Sequence, residues 1–382
     1  MRLSRGARGR RGAGERIPTM HDSRRRGRRT ISGQTDPIST LTRTVASLTQ
    51  VAKTQYGSAI ERGGASMRGF LIGLIVVAVA LAGAFTYLST PDIPRSALEA
   101  KYGEPPSQYL ALADGARAHV RDEGPRTAPV LVLIHGSNAS LFTWRPWVAR
   151  LESTFRVVTM DMPGHGLTGA VPSGDYTGRA MVEFVRAVTD KLGIPKFAIG
   201  GNSMGGAIAA RFAETYPARV TQLILVDAGG MPSKEGDKVP LVFRLARTPI
   251  LNQALLYITP RSLVVEGLND AIVRKAIITD AMIDQYWDFA RMAGTRAATA
   301  ARFQEPEDSY IVDHVGAIRM PTLILWGEED HLIPVVAAHE FAKDVPGAKL
   351  IVYPATGHIP QEEVADQSAA EVKAFLLATS KP

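Results

Sequence analysis

From residue 116 onward the chain alternates short strand-like runs, several of them continuously apolar, with longer segments of helical period, and few folds accommodate that pattern. The runs are ARAHVR (116–121), VLVLIH (130–135), FRVVTMD (155–161), KFAIG (196–200), TQLILVD (221–227), TLILWG (322–327) and LIVYP (350–354). Helical patterns separate them at about 142–151, 176–191, 204–216, 336–344 and 362–379. A strand that is apolar at every position is covered on both faces, the condition of a parallel sheet packed between helices. The alternation predicts an α/β domain built on a doubly wound, mostly parallel sheet. Residues 231–318 interrupt it with helical patterns alone, such as AMIDQYWDFARMAGTRAATAARF. They read as a helical cap inserted over the sheet's carboxyl edge, dividing the core into 108–230 and 319–382.

The N-terminal part has a different character. Residues 69–88, GFLIGLIVVAVALAGAFTYL, carry no charge over twenty positions, the length a helix needs to cross a hydrocarbon core of about 30 Å. The segment 67–89 therefore reads as a transmembrane helix or signal anchor. Lys53, Arg62 and Arg68 on its N-terminal side predict a cytoplasmic N-terminus and an exported C-terminal domain. A start at Met67 would instead give a secretory signal cleaved near Ala84. Upstream, residues 1–66 hold 14 Lys and Arg against 4 Asp and Glu, a net of +10; the chain's total is +7, so the rest carries −3. This Arg/Gly/Ser-rich stretch reads as a disordered basic tail. No aromatic residues interleave with its arginines to stack on bases, so nucleic acid is not an expected partner. Residues 90–107 read as a Pro-rich linker. The absence of cysteine excludes disulfides, a catalytic thiol and thiolate metal sites.

The stretch IGGNSMGGAIAA (199–210) holds a G-x-S-x-G between a strand and a helix. In that setting a serine sits on a tight turn with its hydroxyl exposed, making Ser203 the candidate nucleophile. A serine hydroxyl needs a base. Of eight histidines, His358 in PATGHIPQEE follows the last strand, where the order Ser, acid, His requires it. The orienting acid is Asp330, three residues past TLILWG, with Asp227 at the end of TQLILVD as its rival. For a tetrahedral oxyanion, one donor is the backbone N–H of Met204, and the other comes from Ser137 or Asn138 in HGSNAS.

Taken together, HGS (135–137), DMPGHGLT (161–168), GNSMGG (201–206), GEED (327–330) and GH (357–358) resemble the α/β-hydrolase superfamily from about residue 108 to the C-terminus. The resemblance implies a Ser203–His358–Asp330 triad, a helical cap, and chemistry needing neither metal nor organic cofactor. Haloalkane dehalogenases and epoxide hydrolases of this fold carry aspartate at the elbow, unlike this chain. GNSMGG is similar to the elbow of meta-cleavage-product hydrolases, which break carbon–carbon bonds in ring-fission products. This chain departs from them in reading HGSNAS for the usual HGSGPG, and Ile359 where many have Trp. The expectation is a membrane-anchored esterase or lipase acting on a small ester with an apolar acyl or alcohol part. A carbon–carbon bond hydrolase and a non-catalytic exported ligand-binding protein are the alternatives. Asn138, Tyr286 and Trp287 are candidate pocket residues, with Phe243 and Phe289 as further cap aromatics.

Overall fold

The computed structural model describes residues 65–231, 256–306 and 310–379, together with Ser47, Gln50, Thr54 and Thr248. The basic tail expected over 1–66 lies for nearly all its length outside the described residues, as do Phe243 and much of the first part of the cap. The chain divides into two units, residues 1–82 and 83–382. Helix α1 (Ala65–Leu88) holds one apolar stretch, Gly69–Leu88, with a mean hydropathy of 2.4 and none of it buried. It is long and apolar enough to cross a membrane.

In the second unit the described elements follow in chain order: α2 (Arg95–Tyr102), β1 (Ser107–Ala111), β2 (Arg117–Glu123), β3 (Val130–Ile134), α3 (Arg145–Leu151), β4 (Arg156–Met160), α4 (Gly178–Lys191), β5 (Phe197–Asn202), α5 (Met204–Thr215) and β6 (Val220–Val226). The cap contributes α6 (Arg261–Ala271), α7 (Asp280–Ala290) and α8 (Thr295–Gln304). Then come β7 (Thr322–Gly327), α9 (Val336–Asp344), β8 (Lys349–Tyr353), α10 (Pro360–Glu363) and α11 (Ala365–Thr379). The eight strands form one sheet in the order β1-β2-β4-β3-β5-β6-β7-β8. β2 runs antiparallel to both β1 and β4, and every other pairing is parallel.

The continuous apolar runs have the predicted cause. In β3, Leu131 and Leu133 face one core with Trp147 of α3 and Val372 and Leu376 of α11. Val132 and Ile134 face the other, with Met181 and Val185 of α4, Phe212 of α5 and Phe341 of α9. β6 and β7 divide their residues between the same two cores. α4 shows how local signals fix one of these helices. Thr177 caps it by accepting a hydrogen bond from the Ala180 N–H at 3.2 Å, Met181, Phe184, Val185 and Val188 turn inward, and Gly193 at φ 68° follows its end.

The stretch read as a linker is structured. Leu98 of α2 is 2% exposed and packs with Leu141, Phe142, Leu167, Phe289 and Met292. Residues 107–111 add the edge strand β1, whose half-buried, mixed side chains give too weak a period for recognition in sequence. Between α1 and α2, Thr90 to Ile93 bind the cap. The N–H of Thr90 donates to the Tyr257 carbonyl at 2.8 Å, that of Ile93 to the Arg291 carbonyl at 2.8 Å, and that of Ala293 to the Ile93 carbonyl at 3.0 Å. Arg296 closes on Asp92 and donates to the Thr90 carbonyl at 2.8 Å.

Winding reverses between β3, whose next neighbour in sequence lies on one side, and β5 on the other, with Ile134 opposite Gly201 in register. The carboxyl ends of strands at such a reversal are where α/β sheets bind ligands. Here α5 leaves β5 so tightly that a Cβ at Gly205 would lie 2.1 Å from the Ile134 carbonyl oxygen and 2.6 Å from that of His135. A methyl group there must displace backbone. Gly205→Ala is expected to destabilise the protein by at least about 3 kcal/mol, the upper end of overpacking costs. Urea unfolding checks this, and a loss below about 1 kcal/mol would contradict so close an approach.

Candidate active site

Ser203 occupies the turn between β5 and α5 with φ 56° and ψ −121°, a backbone conformation that costs of order 1–3 kcal/mol outside glycine. Its main chain is overdetermined by neighbours. The N–H donates to the Val226 carbonyl at 3.0 Å, and the carbonyl accepts from Gly206, Ala207 and Gly229 at 2.9, 3.2 and 2.9 Å. Gly201 is required because a Cβ there would meet the Gly205 carbonyl oxygen at 2.1 Å. The side chain is half-buried and stands at the start of α5, where unpaired helical N–H groups and the positive dipole end favour a developing negative charge.

His358, 5% exposed, follows β8, and its Nδ1 lies 2.7 Å from Asp330 Oδ2 in the loop after β7. Asp330 Oδ1 accepts from the N–H groups of Leu332 and Ile333 at 2.8 and 3.0 Å. With Nδ1 engaged, Nε2 is the ring nitrogen free to take a proton. Asn202, the residue before Ser203, donates from Nδ2 to the His358 carbonyl at 2.9 Å and to the Val226 carbonyl at 3.2 Å. This bond ties the histidine loop to the serine turn. The fold thus bonds His358 to Asp330 directly and links their loop to the Ser203 turn through Asn202.

Asp227, the rival acid, stands beside this pair. One oxygen each from Asp227 and Asp330 and a ring nitrogen of His358 lie within 4.8 Å of one another. Asp227 Oδ1 accepts from the Gly327 N–H at 2.9 Å, while its buried Oδ2 has no acceptor bond to make. Burial, then the neighbouring Asp330, hold its carboxyl well above the usual carboxylate range. A cation at these three donors would compete with the Nδ1–Asp330 bond.

The loop after β3 closes the other side. A Cβ at Gly136 would lie 3.1 Å from Ser203 Cβ, which brings this backbone against the serine. His135, buried, accepts from the Met162 N–H at its Nε2 (3.0 Å), so its Nδ1–H donates to the Gly136 carbonyl at 2.7 Å; burial lowers its pKa and keeps it neutral. Asp161 of DMPGHG serves the frame, accepting from the N–H groups of Leu141 and Leu167, each at 2.7 Å, and from His119 at 2.6 Å. Next in the loop, Ser137 is half-buried and Asn138 exposed, with φ 59° at Asn138.

The cap reaches both halves of the site. The His358 N–H donates to the Ala271 carbonyl at 2.7 Å, and Glu363 accepts from Gly357, Val273 and Arg274 N–H groups at 2.8, 2.9 and 2.8 Å. Arg302 of α8, 7% exposed, extends onto Ser137 and Asn138. In sequence it was one more arginine on a helical pattern, and only its burial distinguishes it.

The expected pocket residues part company. Tyr286 packs near Ile359, the residue after His358, and burial together with the nearby Glu362 raises its phenol pKa. Trp287 does not join it, since its Nε1–H donates to the Thr259 carbonyl at 2.7 Å and its ring lies under Arg291 at 3.5 Å. That indole is committed to the cap's own packing, as Phe289 is to Phe142 at 5.9 Å.

With this geometry in place, the comparisons with known proteins agree. Residues 129–365 match the family described as alpha/beta hydrolase fold, and the chain belongs to that family. An uncharacterized protein of Mycobacterium tuberculosis is 30% identical over 270 residues, covering 67% of this chain and 77% of its own. The 2-hydroxymuconate semialdehyde hydrolase of Pseudomonas putida is 30% identical over 274 residues, 69% of this chain and 92% of that one. Among solved structures, a membrane phospholipase A superposes with a TM-score of 0.62 at 23% identity, over 82% of this chain and all of its own; at that identity the likeness is one of fold.

Native Asp227 keeps its proton at pH values where the unfolded chain has released it. The folded state then binds more protons than the unfolded one, so stability falls as pH rises above the ordinary carboxylate range. Asp227→Asn replaces the O–H donor by N–H and removes one proton from that slope, about 1.4 kcal/mol per pH unit. The variant is expected to be as stable as wild type or more so at neutral pH. Thermal unfolding of both proteins between about pH 5 and pH 9 tests this, and a destabilised variant with the wild-type slope would count against a neutral Asp227.

Proposed function

We propose that this α/β hydrolase is a membrane-anchored serine hydrolase of carboxylic esters, with Ser203, His358 and Asp330 as its triad. The observation that carries the reading is the strained Ser203 turn, tied through Asn202 to the loop of a buried His358–Asp330 pair bonded at 2.7 Å. In this reading His358 Nε2 takes the proton as Ser203 Oγ adds to the ester carbonyl, and Asp330 holds the imidazolium. The oxyanion accepts from the Met204 N–H and from that of Ser137 or Asn138. Collapse breaks the ester C–O bond, and His358 returns the proton to the leaving alcohol. Water, deprotonated by His358, then releases the acyl group as a carboxylic acid and restores the serine.

Membrane attachment bears on the substrate. Thr90 stands two residues beyond the apolar stretch and is bonded to Tyr257 and Arg296 of the cap. Residues 69–88 have the length and apolarity of a membrane anchor, and Thr90 follows them closely in sequence. Tyr87 is 89% exposed and Tyr257 44%, and both suit an interfacial setting. Such a cap favours an amphiphilic ester drawn from the membrane over a freely soluble one. A second reading, hydrolysis of a carbon–carbon bond, is favoured by the Pseudomonas putida relative, named a 2-hydroxymuconate semialdehyde hydrolase.

Full-length protein in detergent is expected to hydrolyse p-nitrophenyl esters, and Ser203→Ala to lose at least about 1,000-fold in kcat. Equal rates in the two proteins would remove the ester mechanism. Faster Ser203-dependent turnover of a ring-fission dienoate than of any ester would select the second reading. For topology, the cysteine-free chain accepts a single reporter at exposed Lys191. Lys191→Cys is expected to react with an impermeant maleimide on intact cells, and labelling only after lysis would reverse the assigned orientation.

A further inference from the structure

One side chain touches every residue that can supply the oxyanion hole. Arg302 donates from Nη1 to Ser137 Oγ at 2.6 Å and from Nη2 to Asn138 Oδ1 at 3.0 Å, and Nη1 lies 3.7 Å from Met204 Sδ. Among the described residues no carboxylate pairs with it, although it is 7% exposed. Among those residues it is a buried cation without a counter-ion, an unfavourable state, so its retention calls for a compensating role. Its charge is felt nearby: burial first, then Arg302, hold His165 neutral well below the usual imidazole range.

We propose that Arg302 is a positioning residue for the oxyanion hole, carried by the cap and fixing the Ser137–Asn138 loop against Met204. The inference rests on the serine-hydrolase reading and extends it. Asn138 holds a left-handed backbone at φ 59°, a region asparagine tolerates better than most residues, and the bond from Arg302 holds its side chain in that setting. The planar guanidinium spans two acceptors on adjacent residues, which a point charge cannot do. Its two bonds are made to the enzyme, and its positive charge lies beside the residues proposed to bind the negative charge that develops in the transition state. Since Arg302 belongs to α8, the hole is complete only with the cap seated, and the cap therefore contributes to chemistry as well as to access.

The test uses full-length protein in detergent, p-nitrophenyl butyrate as substrate and butylboronic acid as a mimic of the tetrahedral state. Arg302→Met is expected to lower kcat about 100-fold with KM within about threefold, and to weaken boronate binding by a similar factor. Arg302→Lys should fall between, keeping the charge and losing the fork, and it carries the test if the methionine variant does not fold. Phosphonylation of Ser203 by a fluorophosphonate, whose adduct oxygen must also enter the hole, should slow in parallel. Folded variants with wild-type kcat, boronate affinity and labelling rate would overturn the proposal. A rise in KM alone would also overturn it, making Arg302 an anchor for an anionic substrate. A wild type that neither turns over esters nor labels would instead bring down the serine-hydrolase reading on which the inference rests.

Discussion

The arrangement of this molecule depends on a contact between backbones. α5 starts so close to the end of β3 that the space at Gly205 is bounded by two carbonyl oxygens, and Gly201 faces the Gly205 carbonyl across the same turn. Side chains would push the helix away from the sheet. Their absence lets β5 turn sharply into α5, and the sharp turn forces Ser203 to φ 56°. The turn also leaves the serine at the winding reversal of the sheet, where the loop after β3 meets it from the other side.

Strain at that turn persists because the surroundings are hydrogen-bonded from several directions. Three N–H groups hold the Ser203 carbonyl, Asn202 joins the histidine loop to the elbow, and two N–H groups fix Asp330. The cap completes this frame through Ala271 on one side and Arg302 on the other. Buried polar contacts of this kind are costly when half made, so they favour a single arrangement of loops. Asp227 fits the same logic. A second carboxylate buried beside Asp330 is disfavoured in its charged form, and the Asp227 carboxyl is held well above its ordinary range.

Much of this was legible in the sequence because the signals are local. The runs that became β3 to β8 are apolar at nearly every position, and both faces of those strands are covered. The elbow glycines and Ser203 are contiguous, and Asp330 and His358 each follow a recognisable strand. What escaped detection was distributed or contextual. β1 and α2 are short and carry mixed side chains, so β1 went unrecognised and a stretch with several prolines was taken for a linker when its α2 packs Leu98 into a core. Trp287 was grouped with pocket residues for its apolar bulk, but the bond from its indole to Thr259 decides where the ring goes.

The sequence by itself determined the fold class, the helix able to cross a membrane and the identity of the three residues proposed for catalysis. Each follows from periodicity, length or order along one chain. Only the tertiary structure decided that Asp330 and not Asp227 bonds to His358, that the Asp227 carboxyl is raised above its ordinary range, and that Arg302 lies against Ser137, Asn138 and Met204. Those outcomes depend on distances between segments up to 165 residues apart and on how far each charge is removed from water. Neither quantity is a property of any short stretch of residues.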